Sequence, residues 1–592
     1  MFSVSLVTER EAGTENDVKG EIILHNAAAA HWLYFKNPYR MIEAGRIEDV
    51  IPALRQAETL VNDNHWHAAG FISYEAAGAF DAALCSRPAV NFPLLWFGFY
   101  AEPEEIEIPD PDYSAYSLGE TTCTVRESEY GQTIWKIKEY ITAGDTYQVN
   151  YTLRLQLPFS GDPWHLFLAM VRAQSAGYAA WVDTGRYAIC SASPELFFRL
   201  EGKRLTCKPM KGTVKRGRTQ LEDKSLANWL HFSEKNRAEN LMIVDMIRND
   251  LGRVADAGTV RVPRLFEVER HPTLWQMTST VIAECANSVT EIMGALFPCA
   301  SITGAPKIRT SQIIADLETT PRGLYTGSIG FIAPERSAQF NVAIRTAIVD
   351  RDMWRAEYGS GGGIVWDSDS EDEYKEALLK AQILSEKRPD FSLLETILWT
   401  PEEGYFLLDY HLQRLTDSAD YFDYRLNPEQ IKTQLHDRVS GFHQVSQRVR
   451  LLLSKNGSVE IQAAPFEMSD APVRVGLAQE PVNSADIFLY HKTTQRSAYE
   501  AARRTVPDCE DALLWNERRE LTESCVANVV LEMDGKLLTP PVDSGLLAGT
   551  FRARLLEQGT IREQTLQIDD LNRCSKIYLI NSVRKWREAQ LR

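Results

Sequence analysis

Proline 389 sets the first limit on how this chain can fold. It lies in the charged stretch Ser385-Glu386-Lys387-Arg388-Pro389-Asp390. The helix-like run before it, Glu371 to Leu384, cannot continue through a residue that lacks a backbone N–H and clashes with the preceding turn. Beyond it, Phe391-Ser392-Leu393-Leu394-Glu395-Thr396-Ile397-Leu398-Trp399 reads as the opening strand of a new domain. A chain of 592 residues is in any case too long for one ordinary core; such a length suggests roughly three or four structural units. We therefore divide it into residues 1–120 and 121–384 as two parts of a first domain, a linker at 385–390, and a second domain at 391–592. No internal repeat or low-complexity segment interrupts either half.

Both halves read as mixed α and β. Between Lys224 and Asn249, Leu226, Leu230, Leu241, Val244 and Ile247 form a broken apolar stripe, mostly spaced by three or four, which predicts helix. Short alternating strands accompany the helices of the first half. In the second, strands are predicted at Arg448 to Leu453 and Asp511 to Trp515, with helix near His411 to Phe422. No apolar stretch is long enough to span a bilayer. Met1 to Arg10 lacks a basic segment followed by an apolar one, so it does not read as a signal peptide. Nine scattered cysteines, without a CxxC pair or a histidine cluster, fit reduced thiols and a cytoplasmic setting better than disulfides or zinc. A formal charge of −17 argues against nucleic acid, which is bound through basic surfaces that neutralise phosphates.

The first half carries separated motifs in a fixed order. They are Asp145-Thr146-Tyr147-Gln148-Val149-Asn150, Ala192-Ser193-Pro194-Glu195, Lys211-Gly212-Thr213, Ala238-Glu239-Asn240 running on to Asn249-Asp250-Leu251, His271-Pro272-Thr273, Thr303-Gly304-Ala305-Pro306-Lys307, Asn341-Val342-Ala343-Ile344-Arg345-Thr346 and Gly361-Gly362-Gly363-Ile364-Val365. Together they resemble the chorismate-utilising enzymes, over roughly residues 140 to 380. Gly70-Phe71-Ile72-Ser73-Tyr74-Glu75 extends the resemblance less distinctly toward the start. Lysine before the Gly-Thr resembles the aminodeoxychorismate synthases, whereas anthranilate synthases usually carry a small residue there. The fold implied is that of anthranilate synthase component I, an α/β fold with packed antiparallel sheets and outer helices.

That resemblance assigns roles. Lys211 would add to the chorismate ring as the 4-hydroxyl departs, and ammonia would then displace it. A lysine near pKa ~10.4 must first lose its proton, and burial or the cations Lys208, Lys215 and Arg216 nearby in sequence would help. Glu195 and His271 would assist proton movements or hold the leaving hydroxyl. Glu239 and Glu376 would bind Mg²⁺, with Glu373 one turn away, since magnesium takes one or two carboxylates plus substrate oxygens. Taken alone, Glu373 and Glu376 read as a solvated helix face with Lys380 as an i,i+4 partner. Arg345 and Lys380 are the natural cations for substrate carboxylates; Thr303, Gly304, Tyr325, Gly361 and Gly362 join them by resemblance. The glycines at 359, 361, 362 and 363 would let backbone N–H groups approach an anion, although such a cluster alone is more often a tight turn. The overall negative field repels a dicarboxylate, but screening over about 10 Å lets local cations dominate. None of the nine cysteines has the glycine-flanked setting of a glutaminase nucleophile, so a separate glutamine amidotransferase subunit is expected to supply ammonia.

From about residue 391 a second set of short motifs appears: His411-Leu412-Gln413-Arg414-Leu415, His491-Lys492-Thr493, Leu521-Thr522-Glu523-Ser524, Ala527-Asn528-Val529 and Gly545-Leu546-Leu547-Ala548-Gly549-Thr550-Phe551-Arg552. They resemble the fold type IV pyridoxal 5'-phosphate enzymes, a two-subdomain α/β fold that includes branched-chain aminotransferases and aminodeoxychorismate lyases. Lys492 would hold the cofactor and then move a proton. Glu523 would face the pyridine nitrogen, and Arg414, Gly549 and Thr550 the phosphate, with Asn528 beside them. Out of context, Arg414 is a surface helix charge and Glu523 a strand-edge carboxylate. The resemblance also implies a homodimer paired through the C-terminal half.

The fusion implies 4-aminobenzoate synthesis from chorismate, amination first and pyruvate elimination second. Alternatives are an anthranilate-synthase type of first half, an amino-acid transaminase as second half, or a degenerate second half that binds the glutaminase or stabilises an oligomer. Lys211 stands against the first of these. Joint retention of Lys492, Glu523 and Arg414 stands against the last.

Overall fold

A computed structural model describes residues 20–592 apart from Ala28, residues 89–90, Ser175, Arg388, His443 and Asp470. The Met1 to Arg10 reading and Arg388 of the linker lie outside the described residues. The described chain forms two compact units: one runs to Lys215 and resumes from Ala227 up to Arg388, and the other comprises Arg216–Leu226 and Pro389–Arg592. The inclusion of Arg216–Leu226 in the second unit was not legible in the sequence. Arg216 and Asp223, both buried, form an ion pair of 2.7 Å in that segment.

The first unit is built on two large antiparallel sheets. One centres on the long strand Gln148–Gly161, which pairs with Arg355–Ile364 in unbroken register from Arg355↔Pro158 to Ile364↔Val149. The other runs from Met210–Lys215 through Leu274–Glu284, Arg204–Lys208, Leu196–Glu201, Ser337–Asn341 and Ser328–Ala333 to His67–Ile72, Leu95–Tyr100 and Arg40–Ala44. Ile22, Leu24 and Phe35 of the first sheet pack against Phe71, Trp96 and Phe331 of the second. Ile23 and Ile72, one residue away, point outward into clusters covered by helices. This is the period-two alternation of strands with both faces covered. Central strands are for that reason buried throughout: all six residues of Leu95–Tyr100 are buried, where the sequence reading expected alternation.

The apolar stripe between Lys224 and Asn249 resolves into two helices, Gln220–Phe232 and Glu234–Gly252. Ser233 separates them and caps the second by accepting the Asn236 N–H. Leu230, Val244 and Ile247 enter the core, but Leu241 is 44% exposed, because the buried face of its own helix runs through Asn240, Ile243, Val244, Ile247 and Leu251 and Leu241 lies one residue off it. The helix Ser370–Leu379, capped by Asp369, tightens to a 3-10 turn over Lys380–Leu384 and ends before the proline. Residues 359–364 lie in a strand, so the tight-turn alternative for the glycines falls.

The second unit holds a four-stranded antiparallel sheet, Gly404–Tyr405, Leu393–Thr400, Gln447–Leu453 and Val459–Pro465, and an eight-stranded mixed sheet. Leu393, Ile397, Val449 and Leu451 of the former pack on Leu412, Leu415 and Ala419 of the helix Leu408–Phe422. Among the described residues no helix is long and apolar enough to cross a membrane.

Candidate active sites

In the first unit a pocket of about 450 Å³ opens between the strands that carry Lys211 and the glycines. Lys211 Nζ lies 3.7 Å from Glu239 Oε2. The strand is held there by its backbone: Asn240 Nδ2 donates to the Lys211 carbonyl at 3.3 Å and Gln276 Nε2 to that of Gly212 at 2.8 Å. Glu195, 3% exposed, accepts the Ser301 hydroxyl at 2.7 Å. Burial pushes its carboxyl up to about 7, against the opposing pull of the Ser301 and Met210 hydrogen bonds and of Lys211.

Glu373 and Glu376 border the same pocket. Burial pushes the Glu373 carboxyl up and Glu376 adds to it, against a 2.7 Å hydrogen bond from Ser368. Burial also acts to raise Glu376, but Lys380 at 2.8 Å, with Lys211 and Arg345 behind it, holds that carboxyl below the usual range. Lys380 Nζ also donates to the Gly361 carbonyl at 2.9 Å. Among the described residues no three His, Cys, Asp or Glu side chains converge as a closed metal cluster. The three carboxylates instead border the pocket from two helices, with Lys211 3.7 Å from Glu239 and Lys380 2.8 Å from Glu376.

The glycines serve close side-chain approach. A Cβ at Gly359 would lie 2.1 Å from Tyr325 Cγ, one at Gly362 2.9 Å from Glu373 Oε2, and one at Gly363 2.8 Å from Lys211 Nζ. Arg345 borders the pocket with φ of +53°, as does Thr326 with φ of +64°. Such left-handed non-glycine residues store strain and cluster at functional sites.

Thr303 and Gly304 do not border the pocket; Ser301 and Ile302 do. The Thr303 hydroxyl turns to the Cys299 carbonyl. His271 sits on the hairpin joining Arg261–Arg270 to Leu274–Glu284, outside the pocket lining, and burial lowers its pKa. Two of the cations expected to depress Lys211 are engaged elsewhere, Lys208 with Glu269 at 2.5 Å and Arg216 with Asp223. Sequence reasoning missed Arg322 and Glu318. Arg322, 2% exposed, donates to the carbonyls of Asn150 and Ile302 at 2.7 and 3.0 Å and grips Glu318 with two nitrogens. It ties two pocket-lining segments together.

The second unit contains a pocket of about 520 Å³ bordered by Lys492, Glu523, Arg414, Asn528, Gly549 and Thr550. Burial, then the Arg414 charge, lowers the Lys492 amine to about 8. Burial raises Glu523 to about 7, although it accepts the Leu547 N–H at 3.0 Å, the Tyr499 hydroxyl at 2.8 Å and Asn528 Nδ2 at 3.2 Å. Arg414 grips Glu395 at 2.9 and 2.7 Å, and Glu395 also faces His411 Nδ1 at 2.6 Å. Gly549 caps the helix Thr550–Glu557, and a Cβ there would fall 2.0 Å from Asn528 Oδ1.

Residues 19–386 match the family of chorismate binding enzymes. The chain belongs to that family. Residues 392–590 of this chorismate binding enzyme match amino-transferase class IV. Among curated relatives, aminodeoxychorismate synthase component 1 of Bacillus subtilis is 40% identical over 267 residues, 45% of this chain and 56% of the relative. Anthranilate synthase component 1 of Aquifex aeolicus is 37% identical over 278 residues, 46% of this chain and 55% of the relative. The chain thus spans little more than half the length of these relatives. Anthranilate synthase component I from Streptococcus pneumoniae, 23% identical, superposes with a TM-score of 0.53 over 64% of this chain and 95% of its own, a likeness of fold.

The family match covers the Lys211 pocket and the class IV match covers the Lys492 pocket. Sequence reasoning also overlooked Glu395, His411, Tyr499 and the arginines at 448, 450, 496 and 584 around the latter. Only the two arginines alternating with Val449 on one predicted strand left a signal, that of a polar face opposite an apolar one.

Proposed function

We propose that this chorismate binding enzyme makes 4-aminobenzoate in two steps, amination of chorismate in the first unit and elimination of pyruvate in the second. The observation that carries the reading is the Lys211 Nζ inside the first pocket, in the space beside Gly363. As a free amine Lys211 forms a bond to the ring while the 4-hydroxyl leaves as water. Ammonia then bonds at that carbon and releases Lys211, giving 4-amino-4-deoxychorismate. Glu195, with a carboxyl near 7, is suited to hand a proton to the departing hydroxyl. Arg345 and Lys380 offer cations to the substrate carboxylates.

Burial raises the Glu373 carboxyl and the neighbouring Glu376 charge adds to it. The carboxylates of Glu239, Glu373 and Glu376 border one pocket, so the residues fit Mg²⁺ in a site completed by substrate oxygens, with Glu239 and Glu376 as ligands and Glu373 beside them. When bound, Mg²⁺ supplies a hard positive charge for a substrate carboxylate. The second pocket fits pyridoxal 5'-phosphate: a buried carboxylate, Glu523, for the pyridine nitrogen, and Arg414 with the Gly549–Thr550 helix terminus for the phosphate. When bound, that cofactor supplies an electron sink. Lys492, with its amine near 8, removes the ring C4 proton of aminodeoxychorismate, and the enolpyruvyl group leaves as pyruvate.

Ammonia would come from a separate glutaminase subunit, and the second unit would pair as a homodimer. Nine free cysteines favour a cytoplasmic setting. The match to amino-transferase class IV favours a second reading of residues 391–592 as a transaminase, and the anthranilate synthase relative one of the first unit as anthranilate-forming. Product analysis decides among them. Given chorismate, Mg²⁺, ammonium and pyridoxal phosphate, the protein should release 4-aminobenzoate and pyruvate, and Lys492→Ala should stop at aminodeoxychorismate. Anthranilate, or an enzyme inert with abundant ammonia, would overturn the first assignment. Amino-acid half-transfer without pyruvate release would overturn the second.

A further inference from the structure

Five arginines and a lysine border the Lys492 pocket, against one glutamate, Glu523, in a chain of net charge −17. Two of the arginines are committed. Arg414 holds Glu395, and Arg496 donates to the Cys525 carbonyl and lies over the Tyr499 ring at 4.5 Å. The other three, Arg448, Arg450 and Arg584, have no carboxylate within ion-pair distance among the described residues.

Their placement follows from strand register. Arg448 and Arg450 stand on one face of Gln447–Leu453, while Val449 and Leu451 on the opposite face enter the core. Arg450 is flanked by Thr396 and Gln462, and Arg448 by Ala464; all of these border the pocket. Arg584 reaches the same pocket from the turn between Lys576–Asn581 and Lys585–Leu591. Burial, then the like charges of Arg587 and Arg448, lowers the Arg584 guanidinium, and Asp511 only partly opposes them. Like charges gathered without counter-ions are relieved by an anion, and guanidinium forks suit carboxylates.

We infer that Arg448, Arg450 and Arg584 form a carboxylate-recognition wall that selects a dicarboxylate over a monocarboxylate in the Lys492 pocket. The assignment of aminodeoxychorismate as the dicarboxylate rests on the proposed lyase reading; the wall itself does not. If Gly549, Thr550 and the remaining Arg414 donor took the cofactor phosphate, these three would remain for the substrate. An amino acid with one carboxylate would leave part of the wall unanswered, which makes the wall a determinant of specificity.

The test uses full-length protein loaded with pyridoxal phosphate, without ammonium or Mg²⁺. Titration with chorismate as an unreactive dicarboxylate, and with benzoate as the monocarboxylate control, is followed by the absorbance of the bound cofactor, which reports only this pocket. The Arg448→Gln/Arg450→Gln pair, both exposed positions, and separately Arg584→Gln, should keep the cofactor spectrum. Each should weaken chorismate about 10- to 100-fold, with benzoate changed less than about twofold and the salt dependence flattened. A chorismate shift below twofold in both variants, or equal losses for the two ligands, would overturn the assignment. If wild type binds chorismate through these arginines yet releases no 4-aminobenzoate from aminodeoxychorismate, the wall stands and the lyase reading fails.

Discussion

Lys211 Nζ lies 2.8 Å from where a Cβ on residue 363 would stand, so its position depends on Gly363 having no side chain. The nearest atoms to that Cβ, Gln148 Nε2 and Lys211 Nζ, are ends of flexible side chains. Gly363→Ala should therefore displace the amine and leave the fold intact. We expect amination to fall about 10- to 100-fold, with the melting temperature nearly unchanged and the supplied-intermediate reaction of the second unit unaffected. Steady-state assays of the two half-reactions, run beside a thermal melt, check this.

Glu195 is raised to about 7 by burial, so amination that uses it as an acid should decline as pH rises through about 7. Glu195→Gln should lower that step about 10²- to 10⁴-fold. The measurement is kcat/KM for chorismate at constant free ammonia, which removes the titration of ammonium itself. A profile flat between pH 6 and 8 would assign the proton to another group.

Lys492 is a buried amine lowered to about 8 from its ordinary 10.5. Between those values the unfolded chain binds more protons than the folded one, so stability rises with pH across that window. Below it the buried charge is a standing cost of ~3 kcal/mol, the drop from 10.5 to about 8 taken at about 1.4 kcal/mol per tenfold. Lys492→Met should stabilise the cofactor-free protein by about that amount at pH 7, and the gain should shrink toward pH 10.5. Denaturant unfolding at both pH values tests it.

Chelation of Mg²⁺, or Glu376→Gln, should abolish amination while leaving conversion of supplied aminodeoxychorismate intact. Glu376 borders the first pocket and Lys492 the second. Loss of both reactions on chelation would contradict the assignment.

Arg322→Met should destabilise the first unit by about 3–5 kcal/mol, because it leaves Glu318, 4% exposed, without its closest cation. Arg154, 3.9 Å away, compensates only in part. Urea titration of the variant reads this directly.

The mixed α and β character was legible in the sequence, because it depends on local spacing. Lys211, Glu239 and Glu376, like Lys492, Glu523 and Arg414, were singled out by the resemblance of their flanking motifs to known enzymes, since local spacing alone reads them as ordinary charges. Tertiary structure alone decided which of them meet and what surrounds them. Ser301 rather than Thr303 faces the first pocket, and His271 lies outside its lining. Lys208, three residues before Lys211, pairs its charge with Glu269. Arg448, Arg450 and Arg584 lie more than a hundred residues apart at their extremes yet share one wall. Sequence carries the chemistry of each side chain and its local period. Convergence of distant side chains, and the burial and charge pairing that tune them, arise only when strands far apart in the chain are brought into register.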